Sequence, residues 1–327
     1  MHPILKKKLA LFLLTNCYMA PSLFAENAVP LGTHSLEQNA PNFSISAFYT
    51  YWVPYQDVIN VAITSGSATV QGGVIAPAMN GQSGFKLNAC ASTTHDGWMV
   101  RLNYAWFNNQ PSLEEAAVAS TPYISYYGLL PLPLYNAFST CFQNQFNRID
   151  SQLDREFFAG NYFVFRPWLG LLAAWDQEYL NIFQTTPDVV GSSNFTEEIK
   201  IHQNWWGIGP YAGCVGSYYF TNEFCGYISS GLGMLLSNHK ITTTYFNTNS
   251  SVIPIGRFAG NFNEYNNMEP MLEASLGVRW EKMWTTWGLS LDLSWETQTY
   301  FSHANLTQQG TGNYSMQGLT AGLIVSF

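Results

Sequence analysis

Charged side chains are scarce in this chain of 327 residues, 10 % of the total. Yet Arg101, Arg166, Asp176, Glu178, Glu273, Arg279, Glu281, Asp292 and Glu296 recur at alternate positions inside apolar runs, as do Arg148, Asp150, Asp154 and Glu156. Two kinds of chemistry suit such placement. An unpaired acidic wall lines a water path and favours cations, whereas acids and arginines that pair across strands brace a closed interior. Acids outnumber arginines nine to four in this set, which leaves both readings open. Hydrolysis would need a histidine beside a nucleophile or an acid. His202, His239 and His303, with Asp188 and Ser237, are the candidates, but no spacing among them resembles a barrel protease or phospholipase. Isolated histidines are the commoner reading. No catalytic, cofactor-binding or metal-ligating residue is assigned, and the chain reads as non-enzymatic. Cys214 and Cys225 flank a short turn at 221–223 and fall on one expected face, so a cross-strand disulfide is a candidate, with free thiols the alternative. Cys141 falls in the longest expected loop and could cross-link copies in a homo-oligomer.

These residues need elements to hold them, and the elements repeat every second residue. Trp287, Leu289, Leu291, Leu293 and Trp295 share one face, opposite Gly288, Ser290, Asp292, Ser294 and Glu296. A strand between lipid and water needs this period, with tryptophans where the headgroups lie. Leu272, Ala274, Leu276, Val278 and Trp280 repeat it, and so do Trp98, Val100, Leu102, Tyr104 and Trp106. A charge on the lipid side costs about 2–4 kcal/mol near midplane, so the charged set is expected to point inward. Leu319, Ala321, Leu323, Val325 and the terminal Phe327 alternate to the end of the chain, which resembles the assembly signal of outer-membrane barrels. The rhythm predicts ten strands, within a range of ten to fourteen, at about 43–53, 83–94, 98–107, 147–157, 162–183, 200–219, 224–237, 265–281, 286–301 and 314–327. Short links, among them His95-Asp96-Gly97, alternate with long ones at 54–82, 108–146, 184–199, 238–264 and 302–313. Single-chain bacterial barrels show this asymmetry, with the short turns periplasmic and the long loops outside. Trp52, Trp98, Trp106, Trp168, Trp175, Trp280, Trp287 and Trp295 read as interfacial girdle more readily than as a sugar platform.

Composition agrees. Aromatics make up 16 % of the chain, mean hydropathy is −0.04, and no run of about 18 apolar residues follows the N-terminus, so helical spans are not expected. The all-β, antiparallel transmembrane barrel is the expected fold class. Lys6 to Lys8 followed by Leu9 to Leu14 read as a signal peptide over 1–25, cut after Ala25. A lipoprotein signal at Cys17 is disfavoured by Asn16 before it. Residues 26–42 read as a periplasmic lead-in and 43–327 as the barrel. Loss of the signal takes Lys+Arg from 13 to 10 while Asp+Glu stays at 21, a formal charge of −11. Such an acidic protein has no footprint for nucleic acid. The expected location is the bacterial outer membrane.

The segments 93–107 (TTHDGWMVRLNYAWF), 153–158 (LDREFF), 165–179 (FRPWLGLLAAWDQEY), 204–213 (NWWGIGPYAG) and 316–327 (MQGLTAGLIVSF) resemble the MOMP-like outer-membrane proteins of Legionella and Chlamydia-related bacteria. The resemblance implies a pore-forming surface barrel. The expected function is passive diffusion of small solutes or ions with a weak cation preference. The alternative is a closed barrel acting as an adhesin or structural envelope protein. Expected partners are outer-membrane lipid, the barrel-assembly machinery and the diffusing solutes, with no cofactor.

Overall fold

The computed structural model describes residues 43–57, 79–93, 97–110, 137–186, 195–247, 262–304 and 312–327, together with short strands between them. The expected signal peptide and lead-in, His95, Asp96 and Asp188 lie outside the described residues. Ten long strands form the barrel: β1 (Phe43–Gln56), β2 (Gln82–Ser92), β3 (Trp98–Asn109), β4 (Ala137–Arg155), β5 (Phe163–Thr186), β6 (Phe195–Tyr219), β7 (Phe224–Asn247), β8 (Phe262–Met283), β9 (Gly288–Ala304) and β10 (Gly312–Ser326). Each pairs antiparallel with the next, and β10 returns to β1 from Ser44↔Ser326 to Gln56↔Tyr314. Phe327 finishes the seam, donating its amide to the Phe43 carbonyl at 2.8 Å and accepting the Phe43 amide at 3.3 Å. Closure leaves no unpaired edge, which the bilayer requires of a strand protein. Short strands add to this frame at 112–116, 157–159 and 256–258, and those at 62–64, 74–75, 123–125 and 134–135 form a separate small sheet.

The short turns gather at one end. Gly97 and Gly160 adopt φ of 68° and 72° there, a conformation that costs glycine little. At 221–223, Glu223 pairs with Lys282 and accepts from Trp280 Nε1 at 3.2 Å. Lys282 and then Trp280 hold its carboxyl below the usual carboxylate range. Above the turn end, the outer surface is apolar. On β5, Phe163, Leu169, Leu171 and Trp175 are exposed; on β6, Tyr218, Ile208 and Trp206; on β8, Val278, Leu276 and Met268. This is a lipid-facing band closed by aromatics at both levels.

Past Trp175 and Trp206 the pattern inverts. Leu180, Ile182, Ile199 and Ile201 are fully buried inside, while Tyr179, Lys200 and Lys240 face out. The wall there meets water and the interior is a packed core, as in a soluble barrel. That inversion explains a correction. The stretch 137–146, expected as loop, is the first half of β4, with Phe142 and Phe146 inward and Cys141 and Gln145 outward. A search for apolar-out strands passes over it.

Two further expectations are corrected. Neither Cys214 nor Cys225 is in a disulfide. Cys214 faces out opposite Ser230, whereas Cys225 is buried in the lumen opposite Tyr219, so no disulfide can form between them. Trp52 and Trp168 belong to no girdle: at 1 % and 7 % exposure they point into the lumen and join its aromatic core.

Candidate functional site

Among the described residues the lumen collects most of the charge, and its turn-end half is a ladder of ion pairs. Arg101 Nε reaches Asp154 at 3.2 Å, and Arg166 lies 3.9 Å from Asp154 and 3.6 Å from Glu156. Arg279 holds Asp292 at 2.8 Å and Glu281 at 3.6 Å. One level higher the pairs cross the barrel. Lys86 of β2 reaches Glu296 of β9 at 2.9 Å, and Arg148 of β4 reaches Glu273 of β8 at 2.5 Å. Arg148 also holds Asp150 at 3.1 Å and stacks 5.2 Å from the Tyr211 ring, whose hydroxyl donates to Glu273. Asp150 accepts further bonds from Asn103 at 2.6 Å and Gln152 at 2.8 Å. Every charged group in this half therefore has a partner of opposite sign, the arrangement that makes burial tolerable. Cavities remain among them. One of about 150 Å³ is lined by Lys86, Arg148 and Glu273, and one of about 140 Å³ by Arg101, Arg166 and Arg279. Each is roomy enough for a few waters.

Above the ladder the lumen is closed by a hydrophobic layer. Trp52, Phe107, Phe146, Leu172, Trp205, Tyr300 and Tyr314 form one buried cluster drawn from both walls. Phe146 lies 5.4 Å from Tyr300 and 6.0 Å from Tyr314 between ring centroids, and Trp52 lies 6.0 Å from Phe107. A ten-stranded barrel is little wider than one already filled by its side chains, so bulky aromatics at one height suffice to fill it.

A second polar layer sits at and beyond this one. Asp176 and Glu178 of β5, Glu269 of β8, His239 of β7 and His303 of β9 are each no more than 1 % exposed. His303 Nε2 lies 3.0 Å from Asp176 and its Nδ1 3.4 Å from Glu269, which also pairs with His239. Asn144 Nδ2 donates to Asp176 at 3.1 Å and to Glu178 at 3.0 Å. Trp205 Nε1 and Ser237 Oγ donate to Glu269 at 3.3 and 2.7 Å.

The nine charged residues singled out from the sequence thus divide. Arg101, Arg166, Glu273, Arg279, Glu281, Asp292 and Glu296 stand in the paired ladder; Asp176 and Glu178 stand in the acid–histidine layer. The histidines also separate. His202 faces outward and stacks on Tyr179 at 4.2 Å, while His239 and His303 meet inside, ring centroids 6.0 Å apart. Ser237 donates to the Glu269 carboxylate rather than to a histidine, and the side chains of the layer are buried. Sequence reading missed Lys86, Glu269, Asn144 and the inward turn of His303. Alternation continued from Tyr300 would send His303 outward. A bulge past Tyr300, with Ser302 at φ 60°, resets the parity.

Comparison with known proteins gives a family. The model of the Legionella pneumophila major outer membrane protein precursor family matches residues 35–327. No curated protein matches. Similar solved structures include the Escherichia coli outer membrane protease OmpT, at 12 % identity and a TM-score of 0.42 over 90 % of this chain and 100 % of that one. They also include the translocator domain of the Neisseria meningitidis autotransporter NalP, at 10 % identity and a TM-score of 0.36 over 98 % of each chain. The Yersinia pestis attachment invasion locus protein Ail matches at 12 % identity and a TM-score of 0.26, over 86 % of this chain and 97 % of its own.

Proposed function

Because this chain belongs to the Legionella major outer membrane protein family and is a barrel of the bacterial outer membrane, we propose that it serves as a closed surface barrel. On this reading it braces the envelope and presents its loop end to the surroundings, and solutes do not pass through the conformation described. The observation that supports it is the Arg148–Glu273 pair bridging opposite walls directly beneath the aromatic layer. An ion entering from the turn end would have to part that pair and then displace rings from a packed core.

The pore reading keeps one observation in its favour. In the turn-end half, seven carboxylates face five cations through the pairs just described, and cavities lie among them. Such a wall, if opened, would lean towards cations. Planar-bilayer recording on refolded, heat-modifiable protein separates the two. The closed barrel is expected to give no stable conductance steps. Regular steps with a cation-leaning reversal potential, weakened by Asp292→Asn with Glu296→Gln, would replace it with the pore.

A further inference from the structure

We propose that Asp176, Glu178 and His303 form a binding site for one divalent transition-metal ion of the zinc class, which staples β5 to β9 across the lumen. One ligand atom from each of the three residues lies within 4.8 Å of the others, and none of the three is more than 1 % exposed. Four-coordinate zinc holds oxygen and nitrogen ligands at about 2.0–2.2 Å, which places ligand atoms about 3.3 Å apart. The 3.0 Å between His303 Nε2 and Asp176 Oδ2 is close to that spacing. Imidazole with carboxylates selects a zinc-class ion over calcium, which takes oxygen alone.

Charge gives an independent reason. The layer holds three carboxylates, those of Asp176, Glu178 and Glu269, and no Lys or Arg bonds any of them among the described residues. Three carboxylates against two imidazoles call for one further positive species in this buried layer, a metal cation or a proton. A divalent ion on Asp176 and Glu178 with neutral His303, beside a Glu269–His239 ion pair, makes the layer neutral.

The surroundings also look like an outer ligand shell. Asn144 Nδ2 bonds both metal-facing carboxylates, and Gln56 Nε2 bonds Glu178 at 3.3 Å, so each carboxylate is oriented from a neighbouring wall. Gln203 supplies the pointer to something further. It is fully buried, faces the lumen as the direct cross-strand partner of Glu178, and neither of its side-chain polar atoms has a partner. A buried primary amide left wholly unsatisfied is uncommon. On this proposal its carbonyl completes the coordination or holds a metal-bound water.

The test refolds the full chain in detergent with Zn2+ or with chelator, removes free metal and measures bound zinc by mass spectrometry. About one zinc per chain is expected, and the zinc-loaded barrel should resist heat conversion to the unfolded band at a higher temperature than the chelated one. Glu178→Gln and His303→Gln should each lower retained zinc at least tenfold, whereas His202→Gln, on the outer face, should leave it unchanged. Should either cluster variant not give the heat-modifiable band, wild-type protein refolded with Co2+ carries the decision: visible absorption of nitrogen- and oxygen-bound cobalt supports the site, and its absence rejects it. Wild-type protein without stoichiometric zinc, or folded variants that retain it equally, would overturn the proposal and leave a proton as the neutralising species.

Discussion

Arg148 reaches Asp150, Glu273 and Gln298 at once, and its removal separates two effects. A buried pair contributes little over a hydrophobic replacement, but breaking it by taking one partner strands a charge, at about 3–5 kcal/mol. Arg148→Met is therefore expected to destabilise the refolded barrel by about that amount in urea, read from tryptophan fluorescence. Adding Glu273→Gln should recover part of the loss, since the stranded carboxylate is then gone. An Arg148→Met barrel as stable as wild type would mean that water reaches Glu273 freely. The inward direction of charges such as Arg148 and Asp292 could be argued from the sequence, because lipid exposure is too costly at alternate positions of an apolar run. Its partner was not. Lys86 and Glu296 are 210 residues apart, and Arg148 and Glu273 are 125 apart. Only the curvature of the closed sheet brings them together. His303 was lost for a local reason, since no residue type announces a bulge at Ser302.

Strand ends were readable wherever the wall meets lipid and unreadable where it meets water. Leu289 to Leu293 sit between tryptophans and declare themselves, whereas the outer parts of β4 and β6 carry apolar residues inside and polar ones outside. That second pattern also has a period of two, but without girdle aromatics it resembles a loop rich in Asn and Gln. The strands depend further on close approach between backbones. A Cβ on Gly209 would stand 1.9 Å from the carbonyl oxygen of Met234 on β7, where the β6–β7 pairing is interrupted. Gly209→Val is expected to block closure of the barrel, seen as loss of the heat-modifiable band, while Gly216→Val, whose Cβ meets the Phe163 ring edge at 3.4 Å and Ile228 at 3.8 Å, should fold. Deleting Phe327 removes both of its hydrogen bonds to Phe43 and the last aromatic of the seam. The truncated chain should accumulate in the periplasm, and normal insertion would show that the seam closes without it.

At the scale of the molecule, the strands are longer than a membrane needs. About 9–11 tilted residues cross the hydrocarbon, yet β6 has 25 and β7 has 24. The part of β6 beyond Trp206 extends roughly 25–30 Å past the lipid, taking about 3.3 Å per residue and a tilt of 35–45°. Its outer face bears Asn204, His202 and Lys200, in keeping with water on that side. Orientation then follows from which end carries the long connections, and the cysteines offer a direct check. Cys141 is exposed on the outer face of β4, opposite Asn181 and well past the level of Trp175. Cys90 and Cys225 are buried in the turn-end half of the lumen, and Cys214 lies on the lipid face between Tyr218 and Trp206. A membrane-impermeant maleimide applied to intact cells should therefore label wild-type protein at Cys141 alone, and Cys141→Ser should abolish the signal. Labelling that survives Cys141→Ser would place another thiol in reach of water and reopen the lumen. Labelling that appears only after the outer membrane is permeabilised would mean that the long strands project into the periplasm, inverting the barrel.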